Sequence, residues 1–180
     1  MTSAEARALV LVGPMGAGKT SVGRRIAKAL GTTFVDTDAM VVKHHGAIAD
    51  IFATQGEAVF REWEREAVAE GVAGGGVVSL GGGAVMDAST RAVLADHRVA
   101  FLTVSTDVVA SRLKGSRRPL LSGEENPVDR WARIFDERRH LYEEVADETF
   151  DTSTGPLSDV VARIVAWADA DESLPERGTP

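Results

Sequence analysis

Apolar residues in this chain fall into short, nearly uninterrupted runs, separated by longer stretches in which they recur every three or four positions. The runs Ala8–Val12, Thr33–Asp36, Val77–Leu80 and Val99–Val104 predict strands, and Glu148–Asp151 gives a weaker fifth. Runs without polar alternation suit strands covered on both faces, the condition of a parallel sheet sandwiched by helices. The helical period between them predicts helices over about 18–30, 38–45, 48–70, 87–95, 106–114, 127–146 and 156–169. This βαβα succession implies an α/β fold: five parallel strands joined by right-handed crossovers, with ligands bound beyond the carboxyl ends of the strands.

Two stretches break the pattern. Gly115–Pro127 (GSRRPLLSGEENP) mixes glycine, proline and charge and reads as a lid or loop. Ala170–Pro180 has no apolar face and reads as a frayed tail, which leaves residues 1–169 as one domain. A length of 180 residues suits one core and is short for two.

Composition narrows the chemistry. With 20 Lys+Arg against 27 Asp+Glu the net charge is −7, which opposes a surface made for nucleic acid or anionic lipid. The acidity sits mostly after residue 139, whereas residues 112–139 are net positive. No cysteine is present, so disulfides, thiolate nucleophiles and cysteine-bound metals are excluded. The early apolar run ends at Gly13, far short of the roughly 18 residues of a membrane span, and lacks a signal peptide's cleavage region. A soluble, cytoplasmic monomer with small-molecule ligands, and with no nucleic-acid or membrane partner, is the expectation.

Of the 18 glycines, most cluster near residues 13–23 and 71–83. The first cluster contains Gly13-Pro-Met-Gly16-Ala17-Gly18-Lys19-Thr20, which fits G-x-x-x-x-G-K-[ST], directly after a strand and before the helical stretch that begins at Ser21. Such a loop wraps phosphates in backbone N–H groups at a helix N-terminus, the lysine reaching the outer phosphates. These features predict a nucleoside triphosphate held by Gly16, Ala17, Gly18, Lys19, Thr20 and Ser21, with Thr20 also a hydroxyl ligand to Mg²⁺.

Asp36 and Asp38 end the second strand two residues apart, a spacing that puts both on one strand face. That strand is expected beside the phosphate loop, with one carboxylate near Mg²⁺ and the other on an acceptor hydroxyl; helix capping is the plainer alternative. Gly81, Gly82 and Gly83 follow the third strand and predict a bare backbone surface close to a ligand. Arg61 by spacing alone is an i,i+4 partner of Glu57, worth roughly a few tenths of a kcal/mol, and Arg138 and Arg139 have similar acidic neighbours. Trp63, Trp131 and Trp167 read as packing residues. Arg117 and Arg118 lie in the irregular 115–127 stretch, where an arginine arriving as a site closes would balance charge on a transferring phosphoryl group.

Together the segments GPMGAGKTSVGRRIAKAL, VDTDAM, GAIADIFATQGEAVFREWE, SLGGGAV, RRPLL and ERRHLYEEVAD, in this order over about residues 8–165, resemble the shikimate kinases, P-loop enzymes of the nucleoside-monophosphate-kinase-like group. The resemblance implies a three-layer P-loop kinase fold with a substrate-binding helical region at about 38–70 and a lid at about 112–127. It also implies transfer of phosphate from ATP to the 3-hydroxyl of shikimate. By motif position Asp38 resembles the residue that orients or deprotonates the acceptor hydroxyl, Asp36 the carboxylate near Mg²⁺, and Lys19 and Arg118 the groups that stabilise the transferring phosphoryl. Arg61 and Arg138 resemble the pair holding the shikimate carboxylate above Gly81–Gly83, and Arg112 the basic residue over adenine. Where the family often has a basic or polar residue near adenine, this chain has Asp151-Thr-Ser-Thr-Gly155-Pro156, so backbone contacts are expected there. His140 replaces a frequent proline, which predicts altered local helix geometry. A gluconate kinase, a nucleoside monophosphate kinase or a non-catalytic P-loop module are the alternatives.

Overall fold

The computed structural model describes residues 7–113 and 126–172. In chain order they form β1 (Leu9–Val12), α1 (Lys19–Leu30), β2 (Phe34–Asp36), α2 (Thr37–His45), α3 (Ile48–Thr54), α4 (Glu57–Ala73), β3 (Val77–Ser79), a 3-10 turn (Ala84–Met86), α5 (Ala88–Leu94), β4 (Arg98–Thr103), α6 (Thr106–Arg112), α7 (Pro127–Val145), β5 (Glu148–Asp151) and α8 (Leu157–Glu172).

All strand pairs are parallel, in the order β2-β3-β1-β4-β5. The strand alternation explains the three layers. Leu9 and Leu11 of β1 enter one core with Val22 and Ile26 of α1 and Ile164 of α8. Val10 and Val12 enter a second core on the other face, with Val68 and Val72 of α4 and Tyr142 of α7. Every position of β1 is therefore apolar and buried, as its uninterrupted run required. A third, smaller core of Val41, Ile51, Phe60 and Ala67 joins α2, α3 and α4 into the helical region beside the sheet.

Register builds the site. Leu11 pairs with Ser79, and Ser79 with Asp36. The segments that follow β1, β3 and β2 therefore emerge side by side at one end of the sheet.

Two of the expected element boundaries are corrected. The helix expected over 48–70 is two helices, broken at Gln55-Gly56, where both N–H groups close back on the Ile51 carbonyl. β3 lies between β2 and β1, yet the end of β2 still reaches the phosphate loop, where Asp36 meets Thr20. α7 runs unbroken through His140, since histidine keeps the N–H that a helix needs and proline lacks. α8 continues to Glu172, so the expected tail boundary at 170 falls inside a helix. Residues 173–180 and most of the expected lid, including Arg117 and Arg118, lie outside the described residues. No described helix is long and apolar enough to cross a membrane.

Candidate active site

The phosphate loop passes from β1 into α1. Gly18, at φ 87°, caps α1 without a side chain, so the first N–H groups of the helix remain open toward the cavity. Lys19 Nζ donates to the carbonyls of Gly13 (2.8 Å) and Pro14 (3.0 Å), placing the ammonium across its own loop. The loop is fastened from outside as well. Trp131 Nε1 donates to Met15 O at 2.8 Å, and Arg112 Nη1 to Gly16 O at 2.9 Å. Arg112 also donates to the hydroxyl and carbonyl of Thr152, and that buried hydroxyl stands 3.0 Å from both the Ala17 and Thr103 carbonyls.

Thr20 Oγ1 donates to Asp36 Oδ2 at 2.6 Å, while Asp36 Oδ1 accepts the Ala39 N–H and caps α2. The strand ends at Asp36 and the helix begins at Thr37, so Asp36 and Asp38 are not two positions of one strand face. They meet at the same cavity because the chain turns into α2 between them. A hydroxyl and a carboxylate oxygen in contact at the foot of a phosphate loop fit a hard cation such as Mg²⁺, which completes its shell with water and phosphate oxygens. Among the described residues no group of three or more His, Asp or Glu forms a self-sufficient metal cage.

The acceptor side is an ionic cluster. Arg61 Nη1 donates to Glu64 at 2.7 Å and Nη2 to Glu57 at 3.0 Å, so the i,i+4 pair forms together with a shorter i,i+3 pair. Glu64 is 3% exposed. Burial pushes its carboxyl above the ordinary range, against the pull of Arg61, and the nearby Asp38 charge adds to the rise. Burial would lower the Arg61 guanidinium, but Glu64 and Glu57 outweigh it and hold the charge more firmly. Gly81 separates the two carboxylates: a methyl group there would sit 2.5 Å from Asp38 Oδ1 and 2.7 Å from Glu64 Oε1. The Gly81 N–H is held by Thr37 Oγ1 at 3.2 Å. At Gly83 a methyl group would collide with the Arg61 guanidinium, 2.7 Å from Nη2. The bare backbone predicted here is thus required first by the neighbouring charged side chains.

These groups border one cavity of about 810 Å³. Gly16, Gly18, Lys19, Thr20, Ser21, Asp36, Asp38, Arg61, Gly82, Gly83, Arg112 and Arg138 all line it. Ala17 does not, since its side chain packs in the core, and Gly81 lies beneath the lining. Phe52, Phe60 and Ile48 add apolar surface to the lining, with the Arg61 guanidinium 5.2 Å from the Phe60 ring centroid. The cavity therefore combines a phosphate-binding loop, carboxylates, arginines and apolar surface, a set of groups suited to transferring phosphate to an anionic acceptor with an apolar ring face.

Sequence reasoning missed Glu64, Thr152 and the fastening role of Trp131. Glu64 had a signal in its i,i+3 spacing to Arg61. Thr152 and Trp131 had none, because each reaches the phosphate loop through a backbone carbonyl more than 100 residues away.

A family model described as shikimate kinase matches residues 15–169. A shikimate kinase of Streptomyces coelicolor is 48% identical over 141 residues, 77% of this chain and 81% of that protein. One from Corynebacterium efficiens is 42% identical over 165 residues, 91% of this chain and 97% of its own length. Among solved structures, shikimate kinase from Acinetobacter baumannii in complex with shikimate superposes with a TM-score of 0.86 at 34% identity, covering 94% of this chain and 96% of that one. A gluconokinase from Sinorhizobium meliloti has a TM-score of 0.60 at 22% identity, covering 94% and 99%, a likeness of fold alone.

Proposed function

The chain belongs to the shikimate kinase family, and on that premise we propose how its own residues carry the ATP-dependent phosphorylation of shikimate, a step of aromatic biosynthesis. The phosphates of ATP lie in the loop Gly16–Ser21, against the open N–H groups of α1. Lys19 exchanges its two loop carbonyls for phosphate oxygens, a charge-assisted partner in place of neutral ones. Thr20 and Asp36 would hold Mg²⁺, which would neutralise charge on the phosphate oxygens. Arg118, assigned from sequence, balances charge on the transferring group.

Arg61 and Arg138 bind the shikimate carboxylate, and the ring lies along Phe52 and Phe60 above Gly82 and Gly83. The 3-hydroxyl then faces Asp38, which orients it and accepts its proton as the new O–P bond forms and the bond to the ADP oxygen breaks. Arg112 stands at the nucleotide side of the cavity, beside Thr152. Every group named comes from one chain, so a monomer suffices, and we place the enzyme in the cytoplasm with its ATP.

One observation carries this reading: a phosphate loop, Asp38 and two arginines share a single cavity with apolar surface in its lining. ADP release measured with shikimate, gluconate and AMP as separate acceptors tests it. Selective stimulation by shikimate is expected; stimulation by gluconate or AMP instead reassigns the acceptor, and stimulation by none leaves a nucleotide-binding module.

A further inference from the structure

Tyr142 is the single tyrosine of the chain and is 1% exposed. It sits on α7 one turn after Arg138, its ring stacked on Phe101 with centroids 5.2 Å apart and on Phe135 at 6.3 Å. Packing alone would be served by a third phenylalanine. The hydroxyl, however, donates to the Gly82 carbonyl, and the Arg138 charge one turn earlier acts on the same phenol. Burial pushes the phenol up to about 12, so it stays a protonated donor through the working pH range.

The bond to Gly82 has a directional consequence. In a trans peptide the carbonyl and the following N–H point opposite ways. A Gly82 carbonyl drawn toward α7 turns the Gly83 N–H away from α7, on the side where Gly82 and Gly83 line the cavity. The Gly82 and Gly83 N–H groups make no hydrogen bond among the described residues. With two glycines in succession the peptide has little steric reason to prefer that orientation, so the phenol supplies it. Arg138, one turn before Tyr142 on α7, is itself only 9% exposed and lines the same cavity.

We propose that Tyr142 is a positioning residue of the acceptor site, whose hydroxyl, through the Gly82 carbonyl, sets the direction of the Gly83 N–H in the cavity that Arg138 also lines. The inference rests on the acceptor reading given above. It acts on acceptor binding and not on the nucleotide, because neither Gly83 nor Arg138 belongs to the phosphate loop.

Tyr142→Phe in the full chain removes the hydroxyl and keeps the ring. The KM for shikimate is expected to rise about tenfold, the scale of losing one hydrogen bond to a charged group, with the KM for ATP within about twofold of wild type. A lower melting temperature with both KM values unchanged would mean a structural role only and overturns the inference. An active wild type beside an unaltered variant refutes the inference alone, whereas a wild type inert toward shikimate refutes the functional reading with it. Because the tyrosine is unique, growth on 3-fluorotyrosine gives one fluorine resonance, which is expected to shift on adding shikimate and to stay in place on adding ATP. A resonance unmoved by saturating shikimate overturns the inference even should Tyr142→Phe fail to fold.

Discussion

Thr20 Oγ1 and Asp36 Oδ2 lie 2.6 Å apart, joining the first turn of α1 to the end of β2 across the width of β3. The same carboxylate caps α2 with its other oxygen. One side chain thus ties the proposed cation site to the helix that carries Asp38.

The two jobs of Asp36 can be separated. Asp36→Asn keeps an oxygen for the Ala39 N–H but loses the charge, so the Mg²⁺ concentration for half-maximal rate is expected to rise about tenfold with little change in melting temperature. Asp36→Ala also loses the cap, about 1 kcal/mol, and is expected to melt lower by about 2–4 °C. Magnesium titrations and thermal melts of both variants read the difference; equal melting temperatures would remove the cap from the account.

For Asp38, replacement by Asn preserves size and removes the proton acceptor. Turnover is expected to fall by about 100-fold or more, the lower scale of general-base catalysis, with ATP affinity within about twofold. Rapid-quench single-turnover measurement checks the chemical step directly, and a near-normal rate there would sink the role of Asp38.

Glu64 predicts a pH dependence of stability. Its carboxyl is raised above the ordinary 4.5 by burial, opposed by Arg61. As pH climbs from 4.5 toward the folded-state value, the folded chain holds a proton that the unfolded chain has released, so stability falls with rising pH through that window. Glu64→Gln cannot titrate. Wild type is therefore expected to lose stability relative to Glu64→Gln as pH rises from about 4.5, in denaturant melts at a series of pH values; a relative gain would contradict the raised carboxyl.

Arg112 holds the phosphate loop from outside through Gly16 and Thr152. Removing it as Arg112→Ala loosens the loop without touching the acceptor side, so the KM for ATP is expected to rise about tenfold while that for shikimate stays within about twofold. Steady-state kinetics with each substrate varied in turn decides it, and an equal rise in both constants would assign Arg112 a general structural role.

Much of this architecture was legible along the chain. The phosphate loop could be read because its residues act in one continuous stretch, and the strands because burial on both faces leaves an uninterrupted apolar run. Asp36 and Asp38 were recognisable as a pair for a geometric reason that does not hold: they line one cavity through a turn from strand to helix, not through strand alternation.

What the linear order of residues determined was local chemistry: where phosphates can be wrapped, which segments must be buried, and which side chains are candidates for acid, base and anion binding. Which of those candidates meet was decided by register and packing. Arg61 reads as a routine helix-surface partner until the fold sets buried Glu64 and the Gly83 backbone against it. Tyr142 sits in the core, yet its hydroxyl is found on a glycine carbonyl 60 residues earlier. Contacts of that kind pair a side chain with a distant backbone atom, and every residue has the same backbone, so nothing in the identity of Gly82 or Ala17 announces the partner that only the tertiary structure supplies.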